Sequence, residues 1–491
     1  MNTPDLLKIA TNLGSPTVLL VGDFLLDIYV YGDALRISPE APVQVLKVVK
    51  REYCGGGAAS VAADVTALGA RCSCIGVIGD DKNGHELLKR LAEHGADVSG
   101  LLTINDRPTI SKERIIGLAQ HRHRQQLLRV DDEVTTPLTV SQYDTLLTTY
   151  QQKLATADIV CLQDYNKGVL EPAFCQKLIQ LAKKAGKKIL VDPPLHEDYS
   201  KFTGATLITP NRKETSIASG IQVDTIETAR QAAEKLQQQL QLQAAVITLD
   251  KEGAYLHTAQ VSEQIPTKAR TVYDVTGAGD MMLATIAVAM AAGFDFKTAV
   301  QLSNIAAGLE VEKFGVATVS IDEIVNEILA ERKGKAGKIR EAAAMPDEMT
   351  YHRKAGQTIV FTNGCFDVLH VGHIEYLKFC KSHGDIVVVG LNSDNSVRQL
   401  KGPTRPVNNQ HERAAVLAAL EYVDYVVVFD RPDPLELIEQ VKPDILIKGA
   451  DWTDKGVIGR EFVESYGGKV LLAPMVDGKS TTATLEKMKR Q

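Results

Sequence analysis

No stretch of this sequence approaches the roughly 20 consecutive apolar residues that cross a bilayer, so no transmembrane helix and no membrane partner are expected. The opening residues, MNTPDLLKIATNLGSPTVLLVGD, lack a long apolar run ahead of the first strand-like segment. They do not read as a secretory signal, and a cytoplasmic location is expected. Paired metal-ligand cysteines are missing as well. The seven cysteines have no repeated spacing, and Cys72 and Cys74 stand two apart with no second pair nearby. Reduced thiols follow, rather than a disulfide framework. There is no excess of basic charge. The formal net charge is -6, which argues against a nucleic-acid partner because a phosphate backbone needs an electropositive surface. A local cationic pocket for a small phosphorylated ligand stays open.

What the chain does have is length, with an ordinary globular composition. Its 491 residues are 44% hydrophobic and 24% charged, and a single core rarely grows past about 250–300 residues, so at least two domains are expected. In the first half, Thr17 to Gly22 is a buried-strand pattern followed by Asp23 and Asp27. Two acids at a strand end suit the hydroxyls of a sugar, or an Asx-capped turn. Val30 to Val49, with Pro39 and Pro42, reads as edge strands or a small flap. Gly55, Gly56 and Gly57 then open a helix of small residues and allow close approach of backbone to a ligand. The order is not a dinucleotide fingerprint.

From 107 to 129 the sequence concentrates Lys112, Arg114, His121, Arg122, His123, Arg124 and Arg129 in an otherwise acidic chain. This is either a solvated face or a pocket for an anionic substrate. From Leu154 onward strands alternate with helices, and polar residues cluster just after the strands: Asp164 to Gly168, Asp192, Asn211 with Glu214, and Asp250. That pattern predicts a mostly parallel sheet covered on both faces, with its ligand edge at the strand ends. The run Thr276, Gly277, Ala278, Gly279 leads into an apolar helix, with Asp280 at its first turn. A glycine turn opening a buried helix forms an anion cradle. An aspartate there is a helix cap or a general base for an attacking hydroxyl.

These pieces together resemble the ribokinase-like (PfkB-type) carbohydrate kinases over roughly Val18 to Ile321. They are the Gly22, Asp23 and Asp27 opening, the glycine block at 55–70, DYNKG at 164–168, TPNRKE at 209–214 and DVTGAGD at 274–280. The resemblance implies a three-layer α/β sandwich with a small β-flap. It implies that Asp23, Asp27, Gly56 and Gly57 hold a sugar and that Gly277 and Gly279 cradle phosphate. Asn211 and Glu214 would organise Mg²⁺ carried with ATP, and Asp280 would be the base. Thr248, Gly253 and Asn304 would line the ATP pocket, and a monovalent cation would sit at the kinase site. Ser60 stands where the family's glycine block continues with a sugar-touching asparagine.

Glu331 to Lys354 is polar and poor in large apolar residues, and reads as a linker. The expected division is a kinase domain at 1–335, a linker at 336–355 and a second domain at 356–491. That second domain opens with QTIVFTNGCFDVLHVGH: a strand, a turn with Asn363 and Gly364, and then His370 and His373 around Gly372. Two imidazoles and a helix start can converge on one anion and stabilise a phosphoryl group as it gains charge. A zinc site is the rival, with no third ligand at a suitable spacing. Lys401 and Arg405 supply further cations, and Ser480, Thr481 and Thr482 are hydroxyls at an expected helix start.

This half resembles the HxGH nucleotidyltransferases of the cytidylyltransferase-like group, from Thr358 to about Met488, and so implies a separate Rossmann-like α/β domain. The two histidines with Lys401 and Arg405 would handle the α-phosphate, and Ser480 to Thr482 the β and γ phosphates. Joined in this order, with QQLLRVD at 125–131 and LKGPTRPV at 400–407, the halves resemble a bacterial family of bifunctional heptose-phosphate kinases and adenylyltransferases. That resemblance implies small phosphorylated sugars as substrates, a separate phosphatase acting between two steps, and a homo-oligomer, a dimer. The basic stretch from Lys112 to Arg129, with Lys112, Arg114 and Arg129 as substrate-binding candidates, then has a purpose: Arg114 or residues within Arg122 to Arg129 are expected to meet the phosphate that the sugar already carries.

Overall fold

A computed structural model describes residues 6–118, 125–268, 270, 276–313, 317–450 and 456–474. It divides into two units, Met1–Glu327 and Ile328–Gln491. In the first unit the described strands are β1 (Thr17–Gly22), β2 (Phe24–Ile37), β3 (Gln44–Gly57), β4 (Arg71–Gly79), β5 (Asp97–Ile104), β6 (Ser111–Gly117), β7 (Gln125–Asp132), β8 (Ile159–Gln163), β9 (Lys188–Asp192), β10 (Leu207–Ile208), β11 (Ala244–Thr248), β12 (Ala254–Thr258) and β13 (Ser262–Ile265).

Nine of them form one sheet in the order β13-β12-β11-β10-β9-β8-β1-β4-β5. The pairings from β5 through β11 are parallel, and β12 and β13 close the edge antiparallel. β1, β8 and β9 are near-continuous apolar runs because helices cover both faces of this sheet. β1 leads to β4 on one side, and β8 lies on its other side. The strand order therefore reverses between β1 and β8, and a crevice opens beyond their carboxyl ends. β10 is short because Pro210 follows it closely, and Asn211 caps the Arg212–Ser219 helix in a capping box with Glu214.

The expected flap is present as a second, four-stranded sheet in the order β3-β2-β6-β7. β3 runs antiparallel to β2 along its length, which places Cys54 opposite Asp27 and brings Gly55 to Gly57 back to the main sheet. The basic 107–129 stretch supplies β6 and β7, an antiparallel pair, while His121 to Arg124 lie outside the described residues.

The second unit holds β14 (Ile339–Arg340), β15 (Ile359–Gly364), β16 (Ile386–Asn392), β17 (Tyr425–Phe429), β18 (Ile445–Gly449) and β19 (Lys469–Ala473). They form an all-parallel sheet in the order β14-β17-β16-β15-β18-β19. One core packs on each face. The order reverses between β15 and β18, so a ligand crevice is expected past those two strand ends. The stretch expected as a linker differs from that reading. β14 pairs with β17, and the Met345–Lys354 helix buries Met345 and Met349 in the core of this unit. Arg340 and Glu348 form a buried ion pair there, which explains how so polar a segment sits inside a fold.

Candidate active sites

The first crevice gathers residues from both sides of the strand reversal. Asp23, one residue past β1, is buried, and its Oδ2 accepts N–H bonds from Tyr165 and Lys167 just past β8, at 2.8 and 3.1 Å. Burial, reinforced by the Asp164 charge, pushes it up to about 6. Asp27 on β2 accepts from Arg114 on β6 at 2.5 Å, and the Arg114 guanidinium lies over the Tyr29 ring. Arg129 is in register with Arg114 but is more exposed and bonds Asp131 on its own strand. Lys112 makes no ion pair among the described residues; its ammonium lies 5.0 Å from the centre of the Tyr165 ring. Gly57 brings the chain close to that ring, with φ +55, and a Cβ there would overlap the Asp23 carbonyl at 2.8 Å.

Two glycines of the TGAG turn differ in what they do. Gly277 has φ +99, and a Cβ on it would collide with Glu310 at 2.4 Å, so the fold itself requires it. A Cβ at Gly279 would meet nothing within 4 Å, so that face of the helix start is open to a ligand. Asp280, on the first turn of the Ala278–Ala291 helix, is buried. Burial, then the charges of Asp192 and Glu310, hold it well above the usual carboxylate range. Its Oδ1 accepts a 2.8 Å hydrogen bond from Gln163.

At the end of β9 and past β10 stand two further acids, Asp192 and Glu214. Asp192 is pushed up to about 6 by burial. Glu214 is pushed up to about 7 by burial and by Asp192. Asn211 and Glu214 bond each other's backbone N–H in the capping box, so each commits one oxygen to the helix start. Among the described residues no three His, Cys, Asp or Glu side chains converge as a group that could hold a metal ion. Thr248 bridges Asn211, while Gly253 and the Asn304 amide both meet the Ile265 carbonyl, Asn304 at 2.8 Å.

The second crevice lies past β15 and β18. His370 caps the Val371–Lys381 helix, and the His370 and His373 rings stack with centroids 4.0 Å apart. His373 Nδ1 accepts the His370 backbone N–H at 3.3 Å, which leaves its proton on Nε2. Burial, then His370 and Lys401, push His373 down to about 4. A neutral ring presenting an Nε2–H is a hydrogen-bond donor to an oxyanion, with no proton of its own to lose at neutral pH.

The Lys401 charge is felt at His373. Arg405 does not offer its full fork to a phosphate. Its Nε bonds Asp367, a fully buried carboxylate that needs a cation and also accepts from Val407 N–H. Asn363 and Gly364 end β15 at the crevice, and the Asn363 carbonyl accepts from Lys448 at 3.3 Å. Lys448, buried near the end of β18, is a further cation at this crevice, and its place at the end of an apolar strand is visible in the sequence. Arg413 carries no such signal in the sequence. It is buried and ties Cys365, Asn392, Asp394 and Asn408 together. Ser480, Thr481 and Thr482 lie outside the described residues.

Comparison with known proteins decides between the general readings. Residues 15–323 match the pfkB family carbohydrate kinase model, and residues 361–481 match the Cytidylyltransferase-like model. Over 96% of its length the chain is 44% identical to the "Bifunctional protein HldE" of Geobacter metallireducens, covering 95% of that protein. It is 43% identical over 96% to that of Wolinella succinogenes, covering 98%.

The chain belongs to the HldE family.

Like those relatives it is bifunctional, a carbohydrate kinase followed by a nucleotidyltransferase. Its first unit has the ribokinase-like fold. Arabidopsis thaliana ribokinase, solved with ribose and ATP, aligns with TM-score 0.52 and 20% identity over 64% of this chain and 99% of its own. Phosphofructokinase-2 from Escherichia coli aligns with TM-score 0.54 and 19% identity, again over 64% of this chain and 99% of its own. No described helix is long and apolar enough to cross a membrane.

Proposed function

We propose that the first unit transfers the γ-phosphoryl group of ATP to O1 of D-glycero-β-D-manno-heptose 7-phosphate, giving the 1,7-bisphosphate. The second unit then joins AMP from ATP to D-glycero-β-D-manno-heptose 1-phosphate, giving ADP-heptose and pyrophosphate. The second substrate lacks the 7-phosphate of the first product, so a separate phosphatase acts between the steps. The observation that carries the choice of a phosphorylated sugar is Lys112. It is a cation without a carboxylate partner among the described residues, beside Tyr165, Gly57 and Asp27 where the sugar would bind. Arg114 is already neutralised by Asp27, and Arg129 by Asp131.

In the kinase site Asp280 takes the proton of the attacking hydroxyl. The open helix start at Gly279 stabilises charge on the transferring group. Asn211 and Glu214 hold magnesium with the nucleotide, which supplies charge neutralisation on the phosphates. A monovalent cation at this site is part of the same reading. In the second site His370, His373 and Lys401, with Lys448 at the adjoining strand end, stabilise the α-phosphate as sugar phosphate attacks it and pyrophosphate leaves. Ser480, Thr481 and Thr482 belong to the same reading as β- and γ-phosphate contacts.

Assembly as a homodimer is supported by the flap. Ile37, Val43, Val48, Val49, Leu128 and Val130 are exposed on its β2–β3 and β7 segments, more apolar surface than an isolated flap comfortably leaves in water. Light scattering tests that state. The reaction scheme is tested by a product assay with ATP and CTP against heptose 7-phosphate and heptose 1-phosphate separately. The scheme expects the bisphosphate from the first sugar and ADP-heptose from the second. CDP-heptose as main product, or equal turnover of an unphosphorylated sugar, would overturn it.

A further inference from the structure

Gln163 is the last residue of β8 and the polar exception in it, after Ile159, Val160, Cys161 and Leu162. It is fully buried. Burying a carboxamide is costly unless it is hydrogen-bonded. Gln163 Nε2 donates to Asp280 Oδ1 at 2.8 Å and to Asp192 Oδ2 at 2.8 Å. Both neighbours are carboxyls, so the amino end of the amide has to face them; the opposite flip would set its carbonyl oxygen against two acceptors. Asp192 is fixed in turn by Thr209 Oγ1 at 2.9 Å. The result is a continuous chain, Thr209 to Asp192 to Gln163 to Asp280, from the end of β9 to the first turn of the Ala278–Ala291 helix.

We propose that Gln163 is the positioning residue of the phosphoryl-transfer step: its amide fork fixes Oδ1 of Asp280 and leaves Oδ2 to receive the proton of the sugar hydroxyl. This rests on the reading of Asp280 as the base. In the step, the hydroxyl proton passes to Asp280 Oδ2 and the hydroxyl oxygen bonds to the γ-phosphorus. The bond from that phosphorus to the bridging oxygen breaks, and ADP leaves with its electron pair. The base has to be ionised to begin. Facing it are Asp192 past β9, Asp27 on β2, Glu310 on the Phe296–Glu310 helix, Asp64 and Ser60 on the Ala58–Ala67 helix, and Tyr165 past β8. The acids among these favour a proton on Asp280. The Ser60 hydroxyl and the Gln163 amide oppose them by donating to the ionised form, and the one Gln163 amide serves both Asp280 and Asp192.

The test uses the full chain with Gln163→Leu, and Gln163→Met as a second variant of similar volume without branching. Kinase kcat and KM for sugar 7-phosphate and for ATP are measured across about pH 6 to 9, beside the parent and Asp280→Asn. The expected result is a kcat loss of about 10- to 100-fold with both KM values within about threefold, and an acid limb of the kcat profile displaced upward by about one pH unit or more. A kcat within about threefold of the parent in either variant, while Asp280→Asn is inactive, overturns the role of Gln163 and leaves the base standing. An active Asp280→Asn overturns the reading of the base, and this proposal with it. A kcat loss matched by a KM rise with an unmoved acid limb, or failure of both variants to show an ATP-shifted melting transition, makes Gln163 a packing residue and overturns the proposal.

Discussion

Arg413 is the side chain whose removal the second unit should tolerate least. It is about 2% exposed, yet it carries a full charge. Its Nη2 bonds Asp394 at 2.7 Å, Nε bonds the Asn408 carbonyl at 3.0 Å, and Nη1 bonds the carbonyls of Cys365 at 2.5 Å and Asn392 at 2.9 Å. Those partners are the residue after β15, the last residue of β16, the first residue of the Asp394–Lys401 helix and the segment leading into the Gln410–Ala418 helix. Arg413→Ala would leave Asp394 without its cation and three carbonyls without their donor. Breaking a buried, hydrogen-bonded pair on one side costs about 3–5 kcal/mol. For a unit of Ile328–Gln491, each kcal/mol lowers the melting temperature by roughly 2–4 °C, so a fall of roughly 6–20 °C is expected. Arg413→Lys keeps the charge but loses the planar fork, and should fall between. The assay is calorimetry of the full chain with both activities followed after heating. The lower-melting transition should move, and nucleotidyl transfer should be lost at temperatures where kinase activity persists. A shift below about 2 °C for Arg413→Ala would refute the assignment of Arg413 as the tie between these segments.

Other expectations follow from the two crevices. Lys112→Ala should raise KM for the 7-phosphorylated sugar by about tenfold, a loss of about 1.4 kcal/mol, and leave the unphosphorylated sugar nearly unchanged; equal losses on both would remove Lys112 as the phosphate contact. Glu214, Asp192 and Asp23 are raised to about 7, 6 and 6. The folded first unit therefore binds more protons than the unfolded chain between the ordinary carboxylate range and about pH 7. Their contribution is full below that range and is lost as pH rises through about 6–7, so the ligand-free unit should melt lower at pH 8 than at pH 5; a rise would contradict this. The His373 ring, pushed down to about 4, should show a titration midpoint well below 6 by NMR, and a midpoint of 6–7 would mean that its burial is wrongly described.

Local chemistry made much of this molecule legible. DVTGAGD announced a helix start because Gly277 needs a positive φ, and a Cβ at Gly279 would meet open space. NGCFDVLHVGH announced a strand, a turn and a helix start, and His370 does cap that helix. The 336–355 stretch was illegible for a physical reason. Its burial rests on a two-residue strand, on Met345 and Met349 one helical turn apart, and on an Arg340–Glu348 pair that reads as surface charge until both residues are seen buried. Arg405 read as a free cation because its partner Asp367 is 38 residues away. Gln163 was invisible on the same ground: one of its partners, Asp280, is 117 residues away. Polar residues with long-range buried partners leave almost no local pattern.

Two separable phosphoryl chemistries in one chain, one resting on Asp280 and one on the HVGH histidines, are tested by measuring both reactions on Asp280→Asn and on His373→Ala, with the parent beside them. Asp280→Asn should lose at least about 10³-fold of kinase kcat and keep nucleotidyl transfer within about twofold. His373→Ala should lose about 10²-fold or more of nucleotidyl transfer and keep the kinase within about twofold. Near-parent kinase turnover in Asp280→Asn, or loss of both reactions in either folded variant, would contradict that separation.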